Sequence, residues 1–105
     1  MTKRVRLTPQ ARDDIIEGAL YIAGDNPAAA ERFLAAVERT FKTLAAAPHI
    51  GATRAFVNPQ LQGVRMLPVS GFRNHLVFYR PAGTAVEIIR VLHAARNIKR
   101  LFEKL

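Results

Sequence analysis

The sequence predicts an α+β fold in which an antiparallel helical hairpin packs on a twisted, mainly antiparallel sheet. Three observations predict it. Residues 64–92 contain three β-rich runs, Val64 to Val69, Asn74 to Tyr79 and Val86 to Leu92, punctuated by Ser70-Gly71 and Pro81-Ala82-Gly83. That is the pattern of consecutive hairpins. Residues 8–46 hold two stretches of helical period, broken at Gly24-Asp25-Asn26-Pro27, too short a joint for anything but antiparallel neighbours. The 105 residues form one domain, residues 1–105, with room for a single modest core.

Taken in order, Lys3 to Leu7 alternates basic and apolar side chains. Arg4 and Arg6 point out and Val5 and Leu7 point in, the pattern of a charged edge strand. Thr8-Pro9 then starts a helix, threonine as N-cap and proline at the first helical position. Asp13 and Asp14 follow near its positive end. Ala11, Ile15, Ala19 and Ile22 form its buried stripe, with Ile16, Leu20 and Ala23 beside it. Asn26 and Pro27 repeat the same start signal for a second helix reaching about Ala46. Its buried face is Ala29, Phe33, Val37, Phe41 and Leu44, flanked by Ala36 and Thr40. Its many alanines favour helix and allow close approach to the first.

Pro48 stops the second helix. Residues 49–63 have no clear period and read as a loop over the sheet, with Ile50, Phe56 and Val57 as anchors. Pro68 marks an edge position or a bulge within the first hairpin run. Val86-Glu-Ile-Ile-Arg-Val-Leu92 is nearly continuous β-branched apolar residue, as a central, well-covered strand requires. Glu87, Ile89, Val91 and His93 share one parity along it. After Arg96, Asn97 caps a short last helix whose apolar face is Ile98, Leu101, Phe102 and Leu105. Core packing should bury Val5, Ile15, Ala19, Phe33, Val37, Phe41, Val77, Ile89 and Val91. Tyr21 and Tyr79 read as packing residues with a wet hydroxyl, and His49 and His75 as a loop and a strand-surface residue.

Composition sets limits on function. No apolar run is long enough to span a membrane. The basic N-terminus lacks the apolar segment of a secretory signal. Without cysteine there is neither disulfide nor thiolate chemistry. Three histidines without matching carboxylate spacing leave no metal site, and nothing implies a cofactor. Sixteen Lys and Arg against eight Asp and Glu give a net charge of +8. Six of the acids precede residue 39, and from there on only Glu87 and Glu103 stand against eleven basic residues from Arg39 to Lys104. Such a field favours an anionic partner.

Ordered motifs along the chain resemble one family. Leu7-Thr8-Pro9-x-Ala11-x-x-Asp14-Ile15, Pro48-His49-Ile50-Gly51, Val64-Arg65-Met66-Leu67 and His75-Leu76-Val77-Phe78-Tyr79-Arg80 look like successive pieces of the ParE/RelE superfamily of bacterial type II toxins. Val86 to Arg96 resembles the family's last strand and its His-x-x-Arg exit, closer to ParE than to RelE. The resemblance implies a small cytoplasmic toxin held inactive by an antitoxin. In the ParE branch the toxin inhibits DNA gyrase and needs no catalysis. In the RelE branch it is an endoribonuclease cutting mRNA on the ribosome.

RNA cleavage needs a base, charge neutralisation and an acid. If this chain is a ribonuclease, its catalytic candidates are Arg65, Arg90 and His93. No Asp or Glu lies between Arg39 and Val86, and no tyrosine follows His93, so that set lacks a partner base. The binding candidates are Arg65, Arg73, Arg80, Arg90, His93 and Arg96. The expected function is therefore a gyrase-inhibiting toxin, neutralised by a cognate antitoxin that docks a flexible, acidic and partly apolar segment. The alternatives are a ribosome-dependent mRNA endoribonuclease and a family member that has lost toxicity.

Overall fold

The computed structural model describes residues 2–96 and 98–103. In chain order it contains strand β1 (Arg4–Leu7), helices α1 (Pro9–Asp25) and α2 (Pro27–Ala46), a two-residue strand β2 (Ala52–Thr53) and a 3-10 turn (Pro59–Leu61). Strands β3 (Arg65–Val69), β4 (Phe72–Ala82) and β5 (Ala85–His93) and helix α3 (Ile98–Glu103) follow. The strands form one sheet in the order β1-β5-β4-β3-β2. β1 runs parallel to β5, and every other neighbouring pair is antiparallel. The Asn97 cap and the place of Leu105 on the last helix lie outside the described residues.

Local chemistry sets the helix ends. The Thr8 hydroxyl accepts the Ala11 N–H at 3.0 Å, and Pro9 occupies the first helical turn, where its missing N–H costs nothing. Asn26 does two jobs. Its N–H donates to the Ile22 carbonyl, closing α1, and its side-chain oxygen accepts the Ala29 N–H, opening α2. One residue thus makes the hairpin turn. Thr40 ties α2 to the sheet: its hydroxyl donates to the Ala36 carbonyl and accepts the Ser70 N–H of the β3–β4 turn.

The sheet is covered on both faces. On one, Phe33, Ala36, Val37 and Leu44 of α2 and Ala11 of α1 meet Val77, Tyr79, Val86, Ile88 and Val91. On the other, Ile98 and Phe102 of α3, with Leu61, cover Val64, Phe78, Ile89 and Leu92. Of the residues expected in the core, Phe33, Val37, Val77, Ile89 and Val91 are buried. Val5, Ile15, Ala19 and Phe41 are half-buried at its margin. Among the described residues nothing covers the outer face of the hairpin, so Ile16 and Leu20 beside the α1 stripe face solvent, Leu20 at 68% exposure.

Three further expectations are corrected. The 49–63 segment carries β2 and the 3-10 turn, and of its expected anchors only Phe56 packs, its ring centroid 4.6 Å from that of Phe102. Ile50 is exposed and Val57 is 94% exposed. Leu61 takes the anchoring place because the 3-10 turn points it inward. Second, the strand parity breaks. Phe78 pairs with Arg90 while Tyr79 pairs with Ile88, so Ile89 has no partner on β4. Across this bulge Ile88 and Val91 pack in the core on the hairpin side, Ile89 in the core on the opposite face. A strand that is apolar on both faces has no alternation to mark such a slip. Third, Tyr79 is fully buried, and its hydroxyl accepts the Gly51 N–H at 2.7 Å. The Pro68 expectation holds: β2 pairs no further than Met66, and the β3–β4 register shifts between Pro68 and Val69.

Gly51 is placed by that contact. A Cβ there would lie 2.6 Å from the Tyr79 hydroxyl and 2.8 Å from the Met66 carbonyl. Gly51→Ala is expected to destabilise the protein by about 1–3 kcal/mol through overpacking. Gly24→Ala, with open space around it, should instead stabilise α1 by up to about 1 kcal/mol. Urea unfolding of the two variants checks the contrast.

Candidate functional site

The site begins where β1 runs out. β1 ends with Leu7 opposite Ile88, but β5 continues to His93. Its outer edge would expose unpaired backbone groups beneath α1, which is costly when buried. Thr8 and Asp14 satisfy them. The Thr8 N–H donates to the Ile88 carbonyl at 3.0 Å and the Thr8 hydroxyl to the Ile89 carbonyl at 2.7 Å. The Val91 N–H donates to Asp14 Oδ2 at 3.0 Å. Arg90 closes the arrangement, donating from Nε to Oδ2 at 2.7 Å and from Nη2 to Oδ1 at 2.9 Å. The Asp14 side chain is 5% exposed. Its hydrogen bonds hold the Arg90 guanidinium pKa above its usual value, against the opposing effect of burial.

Beyond this suture, α1 and the ends of β4 and β5 enclose a cleft of about 320 Å³. Gly18, Val91, Leu92 and Ala95 give it an apolar lining, and Asp14, Glu17, Tyr21, His75, His93 and Arg96 its polar one. His75 and His93 pair across β4 and β5 and meet edge to face at 5.0 Å. The His75 ring also leans on Phe33 at 4.8 Å. Burial, and secondarily the neighbouring His93, pushes the His75 pKa below its ordinary value of 6.5. His93 Nδ1 accepts the Ala95 N–H at 3.0 Å, which leaves the proton of the neutral ring on Nε2. Arg96 approaches Glu17 at 3.6 Å, with both side chains well exposed.

The six binding candidates therefore divide. Arg90, His93 and Arg96 come together at the carboxyl end of β5, and Arg73 stands exposed two residues before His75 on β4. Arg65 and Arg80 lie toward the other end of the sheet and hold loops. Arg65 donates to the His49 and Gly51 carbonyls at 3.1 and 2.8 Å. Arg80 donates to the Gln60 and Gln62 carbonyls and pairs with Glu87 at 3.3 Å. Asp14, Glu17, Gly18, Tyr21 and His75 belong to the cleft without having been singled out for it. The hairpin strands carry no Asp or Glu before Glu87. The fold brings two from α1 instead, across more than seventy residues, and no local pattern announces that pairing.

Charge is layered in the same way as structure. The two helices of the hairpin carry four basic and six acidic residues, a net charge of −2, and the rest of the chain twelve and two, +10. Among the described residues no group of three His, Asp or Glu side chains is arranged to hold a metal ion, and no helix is long and apolar enough to cross a membrane.

The family model of the ParE toxin of type II toxin–antitoxin systems, parDE, matches residues 5–98, a span that includes β1 from Val5, the hairpin, the other strands and every cleft residue. Among solved structures, the chain is similar to one from the chromosomal ParDE toxin–antitoxin system of P. aeruginosa. The TM-score is 0.68 and the identity 22%, over 88% of this chain and 96% of that one. At that identity the likeness establishes a shared fold. No curated protein sequence matches the chain.

The suture and the histidine pair generate two predictions. Asp14→Ala leaves Arg90 and the Val91 N–H without their acceptor and should cost about 3–5 kcal/mol, as removing one partner of a buried ion pair does. Asp14→Asn, which keeps an acceptor, should cost less; chemical denaturation compares them. For His75, the unfolded chain takes up a proton near pH 6.5 that the folded protein resists. Stability should thus fall as pH drops below 6.5 and on through the depressed folded value. Melting temperatures between pH 7.5 and 5.0 should show this slope, and His75→Gln should flatten it.

Proposed function

Because the chain belongs to the ParE toxin family of type II toxin–antitoxin systems, we propose that it halts replication by binding DNA gyrase and trapping the enzyme on cleaved DNA. It is the toxin of a ParDE-type system, and an antitoxin is its partner. Its place of action on this reading is the cytoplasm, where gyrase and antitoxin are met. The binding role falls to Arg73, His93 and Arg96 at the open end of the sheet, and the charge of +10 carried by the chain outside the hairpin attracts an enzyme loaded with DNA.

The observation that carries gyrase over RNA is the fate of Arg65 and Arg90. An arginine that stabilises a phosphorane must be free to meet charge as it develops. Arg65 is instead held by two backbone carbonyls and Arg90 by both oxygens of Asp14. A poison needs only a surface, and these clamps help to build one. One observation favours the ribonuclease alternative: His75 and His93 stand side by side as an acid–base pair would. Asp13, Asp14 and Glu17 make the face of α1 beside that cleft acidic, however, and that face opposes a polyanionic RNA strand.

Purified protein added to gyrase and supercoiled plasmid is expected to accumulate enzyme-linked linear DNA. Expression without antitoxin should induce the DNA-damage response while bulk mRNA stays intact. His93→Gln should retain toxicity within about tenfold, since losing one contact costs far less than the ~100- to 10,000-fold loss of a general acid. Cleavage of ribosome-bound mRNA that vanishes in His93→Gln would establish the ribonuclease instead.

A further inference from the structure

The cleft between α1 and the ends of β4 and β5 is built for an occupant of definite chemistry. Its volume, about 320 Å³, lies at the small end of ligand pockets and is suited to one or two side chains rather than a helix. Gly18 lines it without a side chain, and a Cβ there would press on the Phe33 ring at 3.3 Å and meet His75 at 3.8 Å. Val91, Leu92 and Ala95 make part of its lining apolar. Its polar groups are mostly donors. Neutral His93 presents Nε2–H, because Nδ1 is taken by the Ala95 N–H. Among the described residues the Arg96 guanidinium is met by Glu17, at 3.6 Å with side-chain exposures of 47% and 66%. Such a pair contributes little and exchanges easily. Asp14 is out of play, with three donors already on its oxygens.

We propose that this cleft receives a carboxylate carried on an apolar side-chain stem of the antitoxin, seated between Arg96 and His93 Nε2–H, and that the His75–His93 pair takes up a proton as it binds. The proposal rests on the toxin–antitoxin reading above. An incoming carboxylate replaces Glu17 on Arg96 charge for charge, while the stem covers the apolar lining. A nucleic acid fits less well, because a run of phosphates leaving the cleft would pass the acidic face of α1, where Asp13, Asp14 and Glu17 cluster.

Proton uptake follows from the surroundings of the pair. The groups that line the cleft with it are Asp14, Glu17 and Tyr21 from α1 and Arg96 from the turn after β5, and α2 contributes the Phe33 ring. Asp14 is balanced by Arg90 and Glu17 by Arg96, so the pair sits in locally neutral surroundings. A bound carboxylate tips that balance toward the imidazolium. The lowered pKa of His75 keeps that ring neutral at pH 7 until then. Binding should therefore tighten as pH falls from 7.5 to 6.

Butyrate, a carboxylate on an apolar stem, is the first probe. Two-dimensional NMR of the wild-type protein should show saturable shifts at Gly18, His75, His93 and Arg96 and a raised titration midpoint for the histidine pair. Butyramide should produce neither. Equal responses to the two, no response, or stronger competition by a short DNA duplex would overturn the proposal. The second measurement uses the antitoxin encoded with this toxin. Arg96→Gln, at an exposed turn where folding is not at stake, should weaken the complex at least about tenfold. Calorimetry of the wild-type complex in buffers of different ionisation enthalpy should show net proton uptake near pH 6.5. A complex that forms with undiminished affinity in Arg96→Gln sinks the cleft assignment alone. Failure of the wild-type pair to associate contradicts the toxin–antitoxin reading, and the butyrate result still judges the cleft.

Discussion

The fold depends on how the outer edge of β5 is finished. Its amino-terminal half is paired by β1, but from Ile88 onward the pairing is supplied by the helix that follows. Thr8 contributes an N–H and a hydroxyl, and Asp14 a carboxylate that takes the Val91 N–H together with two bonds from Arg90. A buried strand edge without such partners would be expensive. The same residues cap α1, since the Thr8 hydroxyl also accepts the Ala11 N–H. Helix start, strand edge and bulge are thus one interaction. It holds α1 over the end of β5, and so decides that Glu17 and Tyr21 face His75, His93 and Arg96.

Arginine is used in this chain as much for construction as for charge. Arg65 gathers the carbonyls of the segment after α2, Arg80 those of the 3-10 turn, and Arg90 the carboxylate of α1. A planar fork of donors suits each of these tasks better than a lysine would. Because Arg65 and Arg80 mostly bind carbonyls, which carry no net charge, the positive field of the sheet layer survives while its loops are fixed. A chain of this size thereby gains a rigid cationic sheet backed by an acidic hairpin, which fits a protein that acts through its surface.

Local signals were legible in the sequence, and long-range polar pairings were not. Thr8-Pro9 and Asn26-Pro27 mark both helix starts because caps depend on adjacent residues. The Phe33–Val37–Leu44 stripe, the three strand runs and the irregularity at Pro68 were readable for the same reason. Asp14 looked like a charge near a helix dipole. Its partner lies 76 residues away, and nothing near it in sequence says so. The bulge at Ile89 was hidden because a strand apolar on both faces has no period to break. The sequence reads Tyr79 as a packing residue with a wet hydroxyl and His75 as a strand-surface residue, because their partners, the Gly51 N–H and the His93 ring, come from other elements.

Amide hydrogen exchange at Val91 tests most directly whether the Asp14 suture organises this end of the molecule. The account predicts that the Val91 N–H exchanges among the slowest amides of β5 in the native protein. In Asp14→Ala it should lose that protection, together with the Ala94 N–H that bonds the Asn74 carbonyl, while Val86 and Ile88 beside β1 stay protected. A Val91 amide that exchanges like a loop residue in the native protein, or that is unchanged in Asp14→Ala, would contradict it.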